Sequence, residues 1–374
     1  MTERTLARPH HGGDPKNIPP ANNGLAMLDL ATGVNPWAWP VPEPPAQCYQ
    51  VLPYTCPQLI LAAADYYGVA SDAILATAGS QPVIQQLPYM VKPGRILLPA
   101  IAYEEHRYRW QQAGHDIYLF HDYQRECIAE LIASEQIQYL LIISPNNPTG
   151  DTVSQADVRY WRSLLPDDGM VVLDQAFADV LPSSDLSMLA AAPGIVLLRS
   201  VGKFFGLPGL RLGFALGRAD FLTELDDRLG PWGVSGSAQW LGRLALADKP
   251  WQQQMLTKLQ TASQQQTELL RQYFGAYIQH ISTTPLFISL VMPLITAEKL
   301  QLACYAQGLS VRVYRGDKLA YMRWGLAADQ NLLAQRLSGI CFAGITELGA
   351  ELGAGVGAAQ TQRQPSNTAQ GAIS

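Results

Sequence analysis

The segment "GMVVLDQA", residues 169–176, runs through four apolar residues to Asp174 without any polar alternation. A strand covered on one face alternates apolar with polar, whereas an unbroken Met-Val-Val-Leu run needs cover on both faces, as in a parallel sheet flanked by helices. Its last residue is an acid, and in open parallel sheets reactive groups gather just beyond the carboxyl ends of the strands. The pattern recurs on either side in "QYLLIIS" (138–144) and "GIVLLRS" (194–200), and upstream in "AILATA" (73–78), "RILLPA" (95–100) and "HDIYLF". Helix-length segments such as "SQPVIQQLPYMV" and "YEEHRYRWQQAG", the latter closed by Gly114, separate them. The central half therefore reads as α/β, with "MVVLD" as the middle strand of a mostly parallel sheet.

Outside this centre the composition changes. Residues 1–45 are rich in Pro, Gly and Asn, with five prolines in "GVNPWAWPVPEPP", and read as an extended N-terminal arm. A large α/β domain is expected over 46–245. Residues 220–275, rich in Leu, Gln and Ala, read as long helices bridging to a smaller α+β domain over 246–350, whose strands are "LFISLVM" (286–292), "LSVRVY" (309–314) and "YMRWGLA" (321–327). From 351 the text turns small and polar with no apolar period, and a disordered tail is expected over 351–374.

The 374 residues, 48% hydrophobic and 15% charged, describe a globular chain able to bury a large core. No apolar run reaches the roughly 18 residues of a spanning helix, and the first residues lack the apolar segment of a signal peptide, so a cytoplasmic location is expected. The five cysteines are scattered and match no metal-ligand spacing, so reduced thiols and no metal are expected. A net charge of -5 argues against a nucleic-acid surface, though a few local arginines suffice for a small anion.

Four strand ends carry unusual polar residues. "AGSQ" (78–81) sets Gly79 and Ser80 at a helix start; "PNNPTG" (145–150) follows the second central strand; Asp174 ends the third; and Ser200 leads to Lys203 in "LLRSVGKFFGLPGLRLGFALG" (197–217). Singly, each is a turn residue, a cap or a solvated charge. Together, a lysine beyond a strand in apolar surroundings, with hydroxyls, a guanidinium and a neighbouring carboxylate, is a set that suits pyridoxal phosphate.

The ordered set resembles the fold type I pyridoxal-phosphate enzymes, the aminotransferase class I and II family, over most of residues 25–345. The most specific matches are "PNNPTG", D-x-A-F at 174–177, and Ser200, Lys203 and Arg211 in their spacing. The resemblance implies pyridoxal 5'-phosphate as cofactor, Lys203 as the Schiff-base lysine and Asp174 as partner of the ring nitrogen. It implies Tyr103 stacked on the ring, Asn147 at the ring hydroxyl, and Gly79, Ser80, Gln81, Ser200 and Arg211 around the phosphate. Arg323 in "YMRWG" matches the arginine that grips a substrate carboxylate. Phe177 stands where many relatives have Tyr, and Leu52, in "VLPYTCPQL", stands where relatives have a tyrosine that reaches the neighbouring subunit's cofactor; Tyr54 is a candidate substitute.

On the substrate side, "HHGGD" (10–14) with "LDLATGVNPWAWP" (28–40) is similar to the threonine-phosphate decarboxylases of cobalamin biosynthesis. That likeness implies decarboxylation of O-phospho-L-threonine, with His11 and the amides of Gly12 and its neighbour at the substrate phosphate, Arg312 or Arg315 adding charge, and Asn35 at the carboxylate. The alternatives are a histidinol-phosphate aminotransferase or related enzyme, and a non-catalytic regulator on the same fold, which would need a DNA-binding module that this arm is too short to supply. The family also implies a homodimer whose subunits share the sites.

Overall fold

The computed structural model describes residues 8, 9, 12, 13, 18, 19, 21 and 24–342. His11 and the expected tail at 351–374 lie outside the described residues. The chain enters through β1 (Leu28–Asp29), α1 (Gln47–Gln50) and α2 (Pro57–Tyr67). It then alternates: β2 (Ile74–Thr77), α3 (Gln81–Gln86), β3 (Arg95–Pro99), α4 (Glu105–Gln112), β4 (Asp116–Phe120), α5 (Arg125–Ser134), β5 (Tyr139–Ile143), α6 (Gln155–Leu164), β6 (Met170–Asp174), β7 (Ile195–Ser200) and β8 (Gly213–Leu216). Helices α7 (Ala219–Leu229), α8 (Gly236–Ala247) and α9 (Lys249–Phe274) follow. The chain ends in β9 (His280–Thr283), β10 (Phe287–Pro293), α10 (Leu294–Ala306), β11 (Leu309–Ser310), β12 (Arg312–Arg315), β13 (Leu319–Gly325) and α11 (Gln330–Ser338).

The large sheet has the order β2-β8-β7-β6-β5-β3-β4, so β6 is its central strand. Every residue of β5 and β6 is buried, which is why neither alternates. All neighbours pair in parallel except β8, which runs antiparallel to both β2 and β7. The reversal brings the start of β8 to the edge where the other strands end. Arg211, just before β8, therefore stands against Gly79 and lines the same cavity as Asp174 and Ser200.

The smaller sheet, β12-β13-β10-β9, is antiparallel throughout. Its register sets Arg323 of β13 opposite Ser289 on one side and Arg312 on the other. One apolar cluster continues between the two sheets, from Leu173 and Phe177 to Phe287 and Trp324. The residues expected as one strand at 309–314 divide in two, because β11 pairs in parallel with β1 of the arm while β12 joins the small sheet. The arm then crosses to the other side: the Asn35 amide donates to the Lys203 carbonyl (3.1 Å) and the Trp39 amide to Phe205 (2.9 Å). The Trp39 indole donates to Asp248, the N-cap of α9, at 3.0 Å. This strap spans both sheets beside the lysine.

Candidate active site

Strand β6 delivers Asp174 to the sheet's carboxyl edge, where only 4% of it is exposed. Its Oδ1 accepts from the Ala176 amide (3.0 Å), and its Oδ2 lies 2.8 Å from Nε2 of His106 on α4, itself buried. Sequence reasoning missed His106, since one histidine in the mostly polar helix "EHRYRWQQ" does not stand out from its neighbours.

Lys203 lies in the turn after β7, with its Nζ 5.2 Å from the centre of the Phe177 ring. Burial lowers its amine to about 8; the Arg323 and Arg211 charges push the same way, and Asp174 opposes them. Phe177 packs edge-on against Phe287 at 5.2 Å, so the wall beside the amine is apolar.

The glycine turn after β2 lets a guanidinium reach this edge. Gly79 has φ +75°, and a Cβ there would stand 2.7 Å from Arg211 Nη2. Arg211 itself takes a left-handed backbone, φ +53°, and donates to the carbonyls of Pro208 (3.2 Å) and Ala78 (3.3 Å). Ser80, at the start of α3, makes no side-chain capping bond, which leaves its hydroxyl for other use. Tyr103 donates to Gln81 Oε1 at 3.1 Å, and Gln81 donates in turn to Glu105 at 3.0 Å. Burial pushes the Tyr103 phenol upward, so it stays protonated.

Arg323 is 3% exposed, and among the described residues no carboxylate forms an ion pair with it. Its Nη2 donates to the Ala31 carbonyl and its Nη1 to Asn147 Oδ1 (2.5 Å), while Nε has no partner. The Tyr314 hydroxyl donates to the same Asn147 oxygen at 3.1 Å and lies 3.2 Å from Arg323 Nη1. A buried guanidinium held by neutral groups is suited to a carboxylate. Burial disfavours its charge, which an incoming anion would relieve. Tyr314 is a second residue that the sequence does not single out.

These side chains surround one cavity of about 480 Å³. It gathers Gly79, Ser80, Gln81, Tyr103, Asn147, Asp174, Phe177, Ser200, Lys203 and Arg211, together with Gly12, Arg312 and Arg323. Asn35 is not brought there. Its Nδ2 donates to the Phe204 carbonyl (2.7 Å) and its Oδ1 accepts from the Trp37 amide (2.9 Å), so the side chain holds the strap instead of facing a substrate. Arg315 does not line this cavity and pairs with Glu298 at 2.8 Å. Tyr54 and Leu52 lie on the surface, 71% and 57% exposed. Among the described residues no group of His, Cys, Asp and Glu is arranged for a metal ion.

Residues 47–325 match the family model described as aminotransferase class I and II. The chain is 38% identical to the threonine-phosphate decarboxylase of Pseudomonas aeruginosa over 81% of its own length and 88% of that protein. It is 29% identical to histidinol-phosphate aminotransferase 1 of Trichormus variabilis over 68% of this chain and 69% of that one. In fold it resembles the histidinol-phosphate aminotransferase of Sinorhizobium meliloti solved with pyridoxal-5'-phosphate, with a TM-score of 0.71 at 16% identity over 86% of this chain and 90% of that one. The span of the family match, together with a relative covered over most of its length, means that this chain belongs to the aminotransferase class I and II family.

Proposed function

We propose that the protein is a pyridoxal-phosphate-dependent decarboxylase that converts O-phospho-L-threonine to (R)-1-aminopropan-2-ol O-phosphate, in the branch of cobalamin biosynthesis that makes the aminopropanol linker. The observation that carries the choice of reaction is the 38% identity to a threonine-phosphate decarboxylase over 88% of that protein. The likeness to a histidinol-phosphate aminotransferase is weaker and covers less of either chain, so transamination is the second reading.

The cavity suits this cofactor in the chemistry of its donors. A primary amine lowered to about 8 suits an aldehyde, and a buried carboxylate suits a ring nitrogen. A glycine turn closed by a guanidinium, where a Cβ would fill the space, suits a phosphate with Ser80 and Ser200. When bound, pyridoxal phosphate supplies a conjugated ring that accepts the electron pair left at Cα. Asp174, held by His106, would favour a proton on the ring nitrogen, and Tyr103 would offer its ring as a stacking face. Arg323 and Asn147 would hold the substrate carboxylate and so fix the orientation of its bond to Cα. Lys203 returns a proton to Cα after CO₂ leaves. Phe177 and Phe287 keep water from that side.

The test supplies cofactor-loaded protein with O-phospho-L-threonine and no keto acid. Release of CO₂ with aminopropanol phosphate is expected. Amino transfer from histidinol phosphate to a keto acid, without CO₂, would replace this reading with the second one. Borohydride reduction of the loaded protein is expected to tag the peptide containing Lys203. A cytoplasmic homodimer completes the proposal: no described helix is long and apolar enough to cross a membrane, and apolar residues of the 49–54 segment stand exposed.

A further inference from the structure

A second cavity, of about 660 Å³, adjoins the first and shares Gly12, Ala31, Tyr103, Glu104, Arg312 and Tyr314 with it. Its walls come from the loop after β3, the outer face of α4, strand β12 and the arm. Four arginines line it (Arg8, Arg107, Arg312 and Arg315), against one carboxylate, Glu104. Most neighbouring arginines already have carboxylates. Arg109 pairs with Glu105 (3.2 Å), Arg315 with Glu298 (2.8 Å), and Arg312 lies 4.0 Å from Glu104. Arg107 differs: among the described residues it forms no ion pair, and its Nε is buried without a hydrogen-bond partner. A buried donor left unpaired is costly, and an unengaged fork in a basic cavity is suited to a phosphate, which accepts two parallel N–H bonds.

We infer that this second cavity receives the phosphate-bearing end of the substrate and that Arg107 is the residue selecting for it, an inference that rests on the decarboxylase reading for the identity of that substrate. Because the two cavities adjoin across Arg312 and Tyr314, a molecule with its amine at Lys203 and its carboxylate at Arg323 would direct its third substituent past Arg312 to the side where Arg107 stands. The alternative occupant, a separate regulatory anion, would leave the substrate's own binding independent of Arg107.

The experiment uses full-length protein loaded with cofactor, as wild type, Arg107→Gln and Arg107→Lys. It measures kcat, the KM for O-phospho-L-threonine, and inhibition by inorganic phosphate. Loss of a charged, forked contact is expected to raise KM and the phosphate inhibition constant together by roughly tenfold or more in Arg107→Gln, with kcat within about twofold. Arg107→Lys, which keeps the charge without the fork, is expected to fall between. Binding of L-threonine, followed by the visible absorbance of the cofactor, is expected to stay unchanged because it lacks the phosphate. Unchanged constants in Arg107→Gln, or phosphate inhibition that does not compete with substrate, would overturn the inference. Should the wild type not turn over phosphothreonine at all, the functional reading falls by itself. Calorimetric titration with inorganic phosphate then decides the subsite, with weaker binding in Arg107→Gln supporting it and equal binding overturning it.

Discussion

An ammonium group surrounded by guanidinium groups in a buried site is held against its own charge, and Lys203 is in that position. With its amine at about 8, burial being the largest cause, roughly a tenth is uncharged at neutral pH, against under a thousandth for a free lysine. The uncharged form is the nucleophile that an aldehyde needs. The same shift has a consequence for stability. Between about 8 and 10.5 the unfolded chain keeps a proton that the folded chain has released, so stability rises with pH across that window. Below 8 both states are protonated and the full destabilisation is present. Lys203→Met, without cofactor, is therefore expected to melt above the wild type at pH 7, and the gap to close between pH 8 and 10.5. Melting curves in which the gap ignores pH would contradict a buried amine. Other residues show what a sequence conceals. Asn35 stands before a proline in a segment whose resemblance implies a carboxylate contact, but its side chain closes a turn on Trp37 and ties the strap to Phe204. His106 and Tyr314 cannot be picked out, because their partners, Asp174 and Asn147, lie 68 and 167 positions away.

At the level of elements, the strands buried on both faces are legible because an unbroken apolar run of four or five residues between turn signals fits little but a covered strand. Strand β8 is not: its four residues follow a proline-glycine turn, and its antiparallel direction is decided by β2 and β7, far away in sequence. Strand β9, with half-exposed His-Ile-Ser-Thr, lacks an apolar signal altogether. Yet β8 brings Arg211 to the edge that carries Asp174 and Ser200, and it does so through glycines. A Cβ on Gly213 would lie 2.6 Å from the Arg199 carbonyl oxygen and 2.8 Å from the Gly79 carbonyl carbon. Both obstacles are backbone, so neither can swing aside. Gly213→Ala is expected to cost about 1–3 kcal/mol in urea unfolding, in the range of other overpacked interiors, and to weaken cofactor retention as the Gly79 turn is displaced. Gly209→Ala, with nothing within 4 Å of the added carbon, is the control and is expected to be near neutral in both measurements.

On the scale of the whole molecule, the apolar surface around residues 49–54 sets the last question. Tyr49, Val51, Leu52 and Tyr54 are each more than half exposed, and the Tyr54 ring meets Trp232 edge-on at 6.1 Å. The segment is not loose, because Gln239 on α8 donates to the carbonyls of Pro53 (3.3 Å) and Tyr54 (3.2 Å). Four large apolar side chains held outward on a pinned backbone are wasted on water, and contiguous apolar surface of this kind marks an interface. A second copy of the chain is the occupant that family membership favours. Sedimentation at micromolar concentration is expected to give a dimer for the wild type, and Leu52→Glu with Tyr54→Glu is expected to give a folded monomer, since the changes face solvent in the single chain. If each site needs its neighbour, that monomer should also lose pyridoxal phosphate on dialysis while keeping its secondary structure. A monomer that holds the cofactor as firmly as the dimer would mean that the cavity around Lys203 is complete within one chain, and that these exposed side chains serve association alone.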